Sequence, residues 1–485
     1  MGKYGIGFND QGRFRVFPAV STTINKDGLD LVAQGPTGVV AILGPGAGFF
    51  PPKKATAVPI GLNTPSRYIA GGDLLSALNF AVRPFAELDR AVSQVYVVPV
   101  TPATQASKTL STGATLRATL FAKVYGFAGH NIKVVLTGAV APQTLTVKIQ
   151  TVNQGLLTET FVFSTVQALV DEINARSGII TATFASAGVP DVVAEVALAG
   201  ATEPAPNPTD WAEAFSALNS FRVNTLSVVS SDSTVWALLH DYCILKRCRG
   251  YFGRGLQNWN GLAAQATAMA NIRADCALVP GRRMMHATLG AEGQPGYVAA
   301  ARYAALAAVL EPSVPMTFKR LGFTSLETLL DVDTQVDGVD GLLMAGAAPP
   351  VQHPENPGEF IVSRGLSTLA SSDNLYDREH SVLAAIDGLQ DNLESELREL
   401  LGSEGTQLTV QRAIAKTRTV FDIATRPTSA IRILSYRPEA IVGSFADTVL
   451  RIDGAVTPIQ PVNFINSRLN LERTEIRLSV DVPFA

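Results

Sequence analysis

The most regular pattern in the chain lies near its C-terminal end. Glu475-Ile476-Arg477-Leu478-Ser479-Val480-Asp481-Val482 alternates at every step. Ile476, Leu478, Val480 and Val482 therefore share one face of a predicted strand, and four polar residues share the other. A shorter alternation lies near the other end, where Arg13-Phe14-Arg15-Val16-Phe17 sets Phe14 and Val16 on one side before Pro18. The glycine-punctuated first thirty residues around it read as an extended arm.

Between these ends the pattern changes twice. Val39-Val40-Ala41-Ile42-Leu43 and Val95-Tyr96-Val97-Val98 are unbroken apolar runs, as expected of strands covered on both faces. A helix opening at Asp73, read as its N-cap, separates them. Residues 101–208 are rich in Thr, Val, Ala and Gly. They predict strands at Thr115 to Lys123, Ile132 to Thr137, Thr144 to Gln150 and Glu159 to Phe163, with one helix over Val166 to Asn174. Glu203-Pro204-Ala205-Pro206-Asn207-Pro208 closes this segment as a stiff hinge.

Strand and helix signals then alternate again. Helices are expected at Trp211 to Leu218, Ser233 to Leu245, Trp259 to Ile272 and Gly296 to Leu310, and strands at Thr225 to Val229, Gly250 to Phe252 and Cys276 to Val279. This rhythm implies a mostly parallel sheet. Beyond Pro349-Pro350 a strand is expected at Phe360 to Ser363. An amphipathic helix follows over Ala385 to Leu401, with Ile386, Leu389, Leu393, Leu397 and Leu400 on one side and Asp387, Asp391 and Glu394 on the other. The next helix, Thr409 to Ile423, is basic through Arg412, Lys416 and Arg418; strands at Ala430 to Leu434, Thr448 to Ile452 and Val462 to Ile465 come after it.

The fold class is thus α/β: a mostly parallel-sheet core with an inserted β-rich domain, a C-terminal α+β domain and extended strand arms at both ends. The expected divisions are an arm at 1–30, a host domain at 31–100 and 209–349, an insert at 101–208, an inner domain at 350–473 and a terminal strand at 474–485.

Composition narrows the function. The 485 residues are 47% hydrophobic and 17% charged, enough to bury large cores. Lys plus Arg total 39 against 42 for Asp plus Glu, a net charge of −3 that gives no electrostatic case for wrapping nucleic acid. No membrane partner is expected, because the most apolar stretches fall short of the ~20 residues a spanning helix needs. A signal peptide is not expected either.

Candidate chemistry is sparse. Cys243, Cys248 and Cys276 form no C-x-x-C pair, and the five histidines occur in no metal-binding spacing. Gly44-Pro45-Gly46-Ala47-Gly48 follows a strand, but Phe49-Phe50-Pro51-Pro52 blocks the helix that a nucleotide loop requires. The acidic run Asp331 to Gly338 lacks the glycine and glutamate positions of a calcium loop. Lys246-Arg247-Cys248-Arg249 suits either an acidic partner or a helix C-terminus. No catalytic residue, cofactor or metal is expected, and the chain reads as a non-enzyme.

The terminal strand then becomes the leading functional feature. Burying its four apolar side chains gains about 6–12 kcal/mol. Ordering its eight residues costs about 8–16 kcal/mol. It therefore needs a sheet edge, either within its own domain or on another subunit.

Several segments, in order, resemble the tail sheath proteins of contractile-tailed bacteriophages. They are Gly35-Pro36-Thr37-Gly38-Val39-Val40-Ala41-Ile42-Leu43-Gly44; Gly71-Gly72-Asp73-Leu74-Leu75 with Val95-Tyr96-Val97-Val98-Pro99-Val100; and Tyr125-Gly126-Phe127-Ala128-Gly129-His130-Asn131-Ile132-Lys133-Val134. Arg364-Gly365-Leu366-Ser367-Thr368, Asp373-Asn374-Leu375 and the stretch from Val456 to Ile465 extend the likeness toward the C-terminus. Pro99 stands where the family pattern carries an arginine.

This resemblance implies a mechanical subunit. Hexameric rings of the chain would stack helically around an inner tube, with baseplate and tail terminator proteins at the ends. Phe14 and Val16 would lie in one donated strand and Ile476, Leu478, Val480 and Val482 in another. Either Asp387, Asp391 and Glu394 or Arg412, Lys416 and Arg418 would face the tail tube protein. The insert would point outward, and contraction would drive the tube through the host envelope without nucleotide hydrolysis. The location implied is the virion tail, assembled in the host cytoplasm. A baseplate component, a sheath analogue of a bacterial injection device and an α/β enzyme with a β-rich insertion are the alternatives.

Overall fold

The computed structural model describes residues 8–10, 13–15, 38–58, 69, 71–88, 90–151, 155–330, 338–372, 375–400, 404–446, 449–460, 466–472 and 475–481. Its helices, in chain order, are α1 (Gly72–Val82), α2 (Val166–Arg176), α3 (Pro208–Ala217), α4 (Ser233–Lys246), α5 (Leu262–Leu278), α6 (Gly296–Val309), α7 (Val339–Met344), α8 (Leu375–Arg378), α9 (His380–Arg398) and α10 (Gln407–Ala424).

The apolar runs build the centre of a seven-stranded sheet. In spatial order its strands are Ala347–Ala348, Met284–Ala287, Arg249–Gly253, Thr225–Val228, Val39–Gly44, Gln94–Pro99 and Thr56–Val58. All pair in parallel except the last, which runs antiparallel to Gln94–Pro99. Val40 stands opposite both Thr225 and Val95. Because successive side chains alternate, Val40 and Ile42 pack with α1 and α6 on one face, while Val39, Ala41 and Leu43 pack with α3 and α4 on the other. Burial on both faces is why these strands carry no polar alternation.

Close packing leaves no room at Gly253. A Cβ there would stand 2.6 Å from the Gly296 carbonyl group and 2.7 Å from the Ala287 oxygen. Both obstacles are backbone, so neither can swing aside. Gly253→Ala is expected to destabilise the host by about 3 kcal/mol, an overpacking cost. Chemical denaturation followed by tryptophan fluorescence checks this, since Trp211, Trp236 and Trp259 all lie in the host.

Two sequence expectations shift here. Cys276 to Val279 is not a strand: Cys276, Ala277 and Leu278 form the last turn of α5, and the strand comes later, at Met284–Ala287. Asp73 is not the N-cap of α1; Gly71 holds that place, and Asp73 accepts a 2.6 Å hydrogen bond from the Tyr297 hydroxyl on α6.

The β-rich segment forms two antiparallel sheets between Gln94–Pro99 and α3. Three strands order as Ile180–Phe184, Thr115–Tyr125 and Gln105–Thr112; four order as Gly155–Phe163, Gln143–Thr151, Ile132–Thr137 and Val193–Ala197. Their inner faces and α2 share one core containing Leu120, Val134, Phe161 and Leu169. The segment is joined to the host by a bond from Tyr125 N to Gly48 O (2.7 Å), while Phe127 N donates to the carboxylate of Glu203 in the segment's own closing hinge (2.5 Å). The proline-rich hinge ends earlier than its sequence suggests. Asn207 caps α3 reciprocally with Asp210, and Pro208 is already helical.

Behind the host sheet, α9 and α10 pack together over Leu389, Val420, Phe421 and Ala424, with Ile431, Ile433 and Ile441 closing the cluster. The ribbons below them pair Ile433–Tyr436 with Val456–Pro458, and Val442–Ala446 with Val449–Asp453. The strand expected from Ala430 thus begins at Ile433, and the one expected at 462–465 lies outside the described residues.

Candidate functional site

Two features set the functional geometry: the terminal ribbons and the charged faces of α9 and α10. At the C-terminal end, Glu475–Asp481 pairs antiparallel with Asn466–Glu472, with Ile476 opposite Leu471 and Leu478 opposite Leu469. At the N-terminal end, Phe8–Asp10 pairs with Arg13–Arg15, with Phe14 opposite Asn9. Among the described residues neither ribbon has a third strand. Val480 lies in the C-terminal ribbon opposite Ser467; Val16 and Val482 lie outside the described residues.

The acidic stripe of α9 does not stand free. Asp387 takes a two-pronged pair from Arg283 at 2.5 and 2.7 Å, Asp391 meets Arg222, and Glu394 meets Arg247. Those arginines come from the segment before Thr225–Val228, the αL residue that ends α4, and the loop before Met284–Ala287. Burial raises the Asp391 carboxyl above its ordinary range, and the nearby Arg222 offsets this only in part. Desolvation is the largest single influence on Arg283 and works against its charge, but the hydrogen bonds and the negative charge of Asp387, with smaller contributions beside them, together raise its pKa.

The basic face of α10 is different. Lys416 reaches back to α9 at Glu396 (3.0 Å) and Glu399 (2.8 Å), and hydrogen bonding to these, Glu399 foremost, raises its pKa. Arg418 donates to the Pro438 carbonyl at 3.4 Å. Arg412 is exposed. The structure therefore separates the six charged candidates: the acids turn to the host, Lys416 joins the two helices, and Arg412 and Arg418 lie on exposed surface. The partners Arg222 and Arg283 carried no sequence signal. Arg247 did, within the basic run after α4, whose acidic partner is the chain's own α9.

Groups with possible chemistry are dispersed. The glycine loop after Val39–Gly44 lies where strand order reverses, a common ligand position in such sheets. Its Gly46 amide is taken by Thr101 Oγ1 at 3.0 Å, and a Cβ at Gly44 would strike Val229 at 2.7 Å. Cys243 and Cys248 are buried with sulfurs 3.5 Å apart, and burial pushes the Cys243 thiol far above its usual range. Among the described residues, no three His, Cys, Asp or Glu side chains are grouped to hold a metal, and no helix is long and apolar enough to cross a membrane.

The class so defined is a two-faced α/β host with a β-rich module on one crossover and a helical C-terminal layer. No family model matches the chain, and no curated protein matches it. Solved structures do. A sheath tail protein from Desulfitobacterium hafniense superposes with a TM-score of 0.61 at 15% identity, over 92% of this chain and 96% of that one. A sheath tail protein from Listeria innocua gives 0.61 at 13% identity, over 92% and 95%. The chain has the sheath tail protein fold along nearly its whole length, which bears out the resemblance read from its motifs.

Proposed function

We propose that this chain is the sheath subunit of a contractile tail or injection device, polymerising as stacked hexameric rings around an inner tube. The observation that carries this is the pair of terminal ribbons, each two-stranded among the described residues, on a chain that shares the sheath tail protein fold. A two-stranded ribbon is marginal by itself, and its open edges accept or donate a further strand. Phe14 and Val16 would act at one junction, and Ile476, Leu478, Val480 and Val482 at the other. Arg412 and Arg418, on exposed surface, are the better candidates for meeting the tube protein; Asp387, Asp391 and Glu394 are engaged within the chain. Contraction would release free energy stored at assembly, and baseplate and terminator proteins would bound the array.

Deleting residues 474–485 tests the reading. Tubes or rings seen by negative-stain electron microscopy with the full chain should disappear, while the host's tryptophan-monitored unfolding midpoint stays in place. Unchanged polymers, with only a lowered midpoint, would mean the strand serves its own molecule alone.

A further inference from the structure

The three ion pairs that join α9 to the host arginines are not equivalent. Asp387, Asp391 and Glu394 follow at spacings of four and three, so they form one stripe down the helix. Side-chain exposure rises along it, from 13% at Asp387 through 29% at Asp391 to 48% at Glu394. The arginines follow the same trend less evenly, from 6% at Arg283 to 47% at Arg222 and 40% at Arg247.

The two ends of the helix are held differently as well. At its start His380 is buried against Tyr251, and the preceding Glu379, 1% exposed, pairs with Arg364 at 2.6 Å. A cleft of about 330 Å³ runs between the host and the middle of the helix, lined by Arg222, Arg247, Asp387, Asp391 and Glu394, so its inner end meets the acid of the most buried pair and its outer end the most exposed acid. Lys246 and Arg249 add further positive charge there. Screening by salt is strong for the exposed pairs and weak for the buried one.

We infer that α9 is held to the host by a graded ionic clamp that opens from its C-terminal end, with Arg283–Asp387 as the fixed end and Arg247–Glu394 as the yielding one. High ionic strength loosens the far end while the His380 end stays docked. The α9–α10 layer can then tilt on the host without leaving it. The clamp is internal to one chain, so it stands or falls independently of sheath assembly.

Hydrogen exchange on the full chain, compared between 50 mM and 1 M sodium chloride, tests this. Amides of Leu393 to Arg398 should exchange at least five-fold faster at high salt, and those of Leu383 to Leu389 less than two-fold faster. Arg247→Glu should reproduce the salt effect at low salt, and combining it with Glu394→Arg should reverse it. Arg247→Gln, a milder change, keeps the test available if the charge reversal misfolds. Uniform acceleration along α9, or an unchanged far end in both Arg247 variants, would overturn the clamp.

Discussion

Replacing Arg302 with methionine is expected to lower the host's unfolding free energy by about 3–5 kcal/mol, one of the larger losses a single substitution can cause here. Arg302 sits on α6, is 1% exposed, and points into the space under the end of α1. Its Nε donates to Leu321 O at 2.6 Å; Nη1 donates to Phe80 O at 3.1 Å and to Arg83 O; Nη2 donates to Pro84 O at 3.1 Å. The guanidinium also lies 3.5 Å from the centre of the Phe85 ring. These acceptors include carbonyls at the C-terminal end of α1, where the helix dipole favours a cation. Burial lowers the pKa of Arg302 to about 9, which still leaves it charged at neutral pH.

Methionine fills much of the same volume but leaves four carbonyl groups with no donor from this side chain. Each stranded buried acceptor costs about 1–3 kcal/mol, less where water can enter. Lysine should rescue only a small part, because one ammonium cannot serve four carbonyls on two chain segments as a planar fork does. The measurement is urea unfolding of wild type, Arg302→Met and Arg302→Lys. A methionine variant within 1 kcal/mol of wild type would show that the carbonyls find other partners.

Nothing in the local sequence distinguished Arg302. It reads as a break in an alanine-rich helix, and its acceptors lie about 20 residues away on one side and about 220 on the other. What the sequence did carry was whatever depends on near neighbours. The period-two strands at Ile132–Thr137 and Glu475–Asp481 follow from alternation. The buried strands Val39–Gly44 and Gln94–Pro99 follow from unbroken apolar runs between glycine and proline. The run Cys276-Ala277-Leu278-Val279 reads as a strand yet ends a helix, because four apolar residues suit a helix end as well as a strand. The strand Met284–Ala287 is hidden in the sequence because Arg282 and Arg283 obscure its start, and Arg283 in fact holds Asp387. The acidic stripe on α9 was legible as a pattern; that it faces three host arginines depends on folding that brings residues 222, 247 and 283 together. The C-terminal ribbon shows the same division: the alternation marks the strand Glu475–Asp481, while its pairing with Asn466–Glu472 comes from the fold.

Acidification is expected to weaken the attachment of α9 through His380. This imidazole, wholly buried at the first position of the helix, is held neutral: burial is the main cause, with Arg249 and then Arg283 adding repulsion, and its pKa falls to about 3. The Tyr251 hydroxyl lies 3.3 Å from Nδ1, and a backbone hydrogen bond with Met284 acts in the opposite sense without overcoming burial. In the unfolded chain the same group titrates near 6.5. Between these values the unfolded state binds a proton that the native state refuses, so stability rises with pH and is lost as pH falls from about 6.5 toward 3. The deficit from this group reaches about 2–3 kcal/mol at pH 4.5 and about 4–5 kcal/mol near pH 3. Carboxylates with depressed pKa values, such as Glu292 beside Arg83, add their own losses at low pH, so the slope must be separated by substitution. Urea midpoints measured from pH 7.5 to pH 4 should fall less steeply for His380→Gln than for wild type, with the two curves separating below pH 6.5. If they stay parallel over that interval, the buried imidazole is not the source of the acid sensitivity.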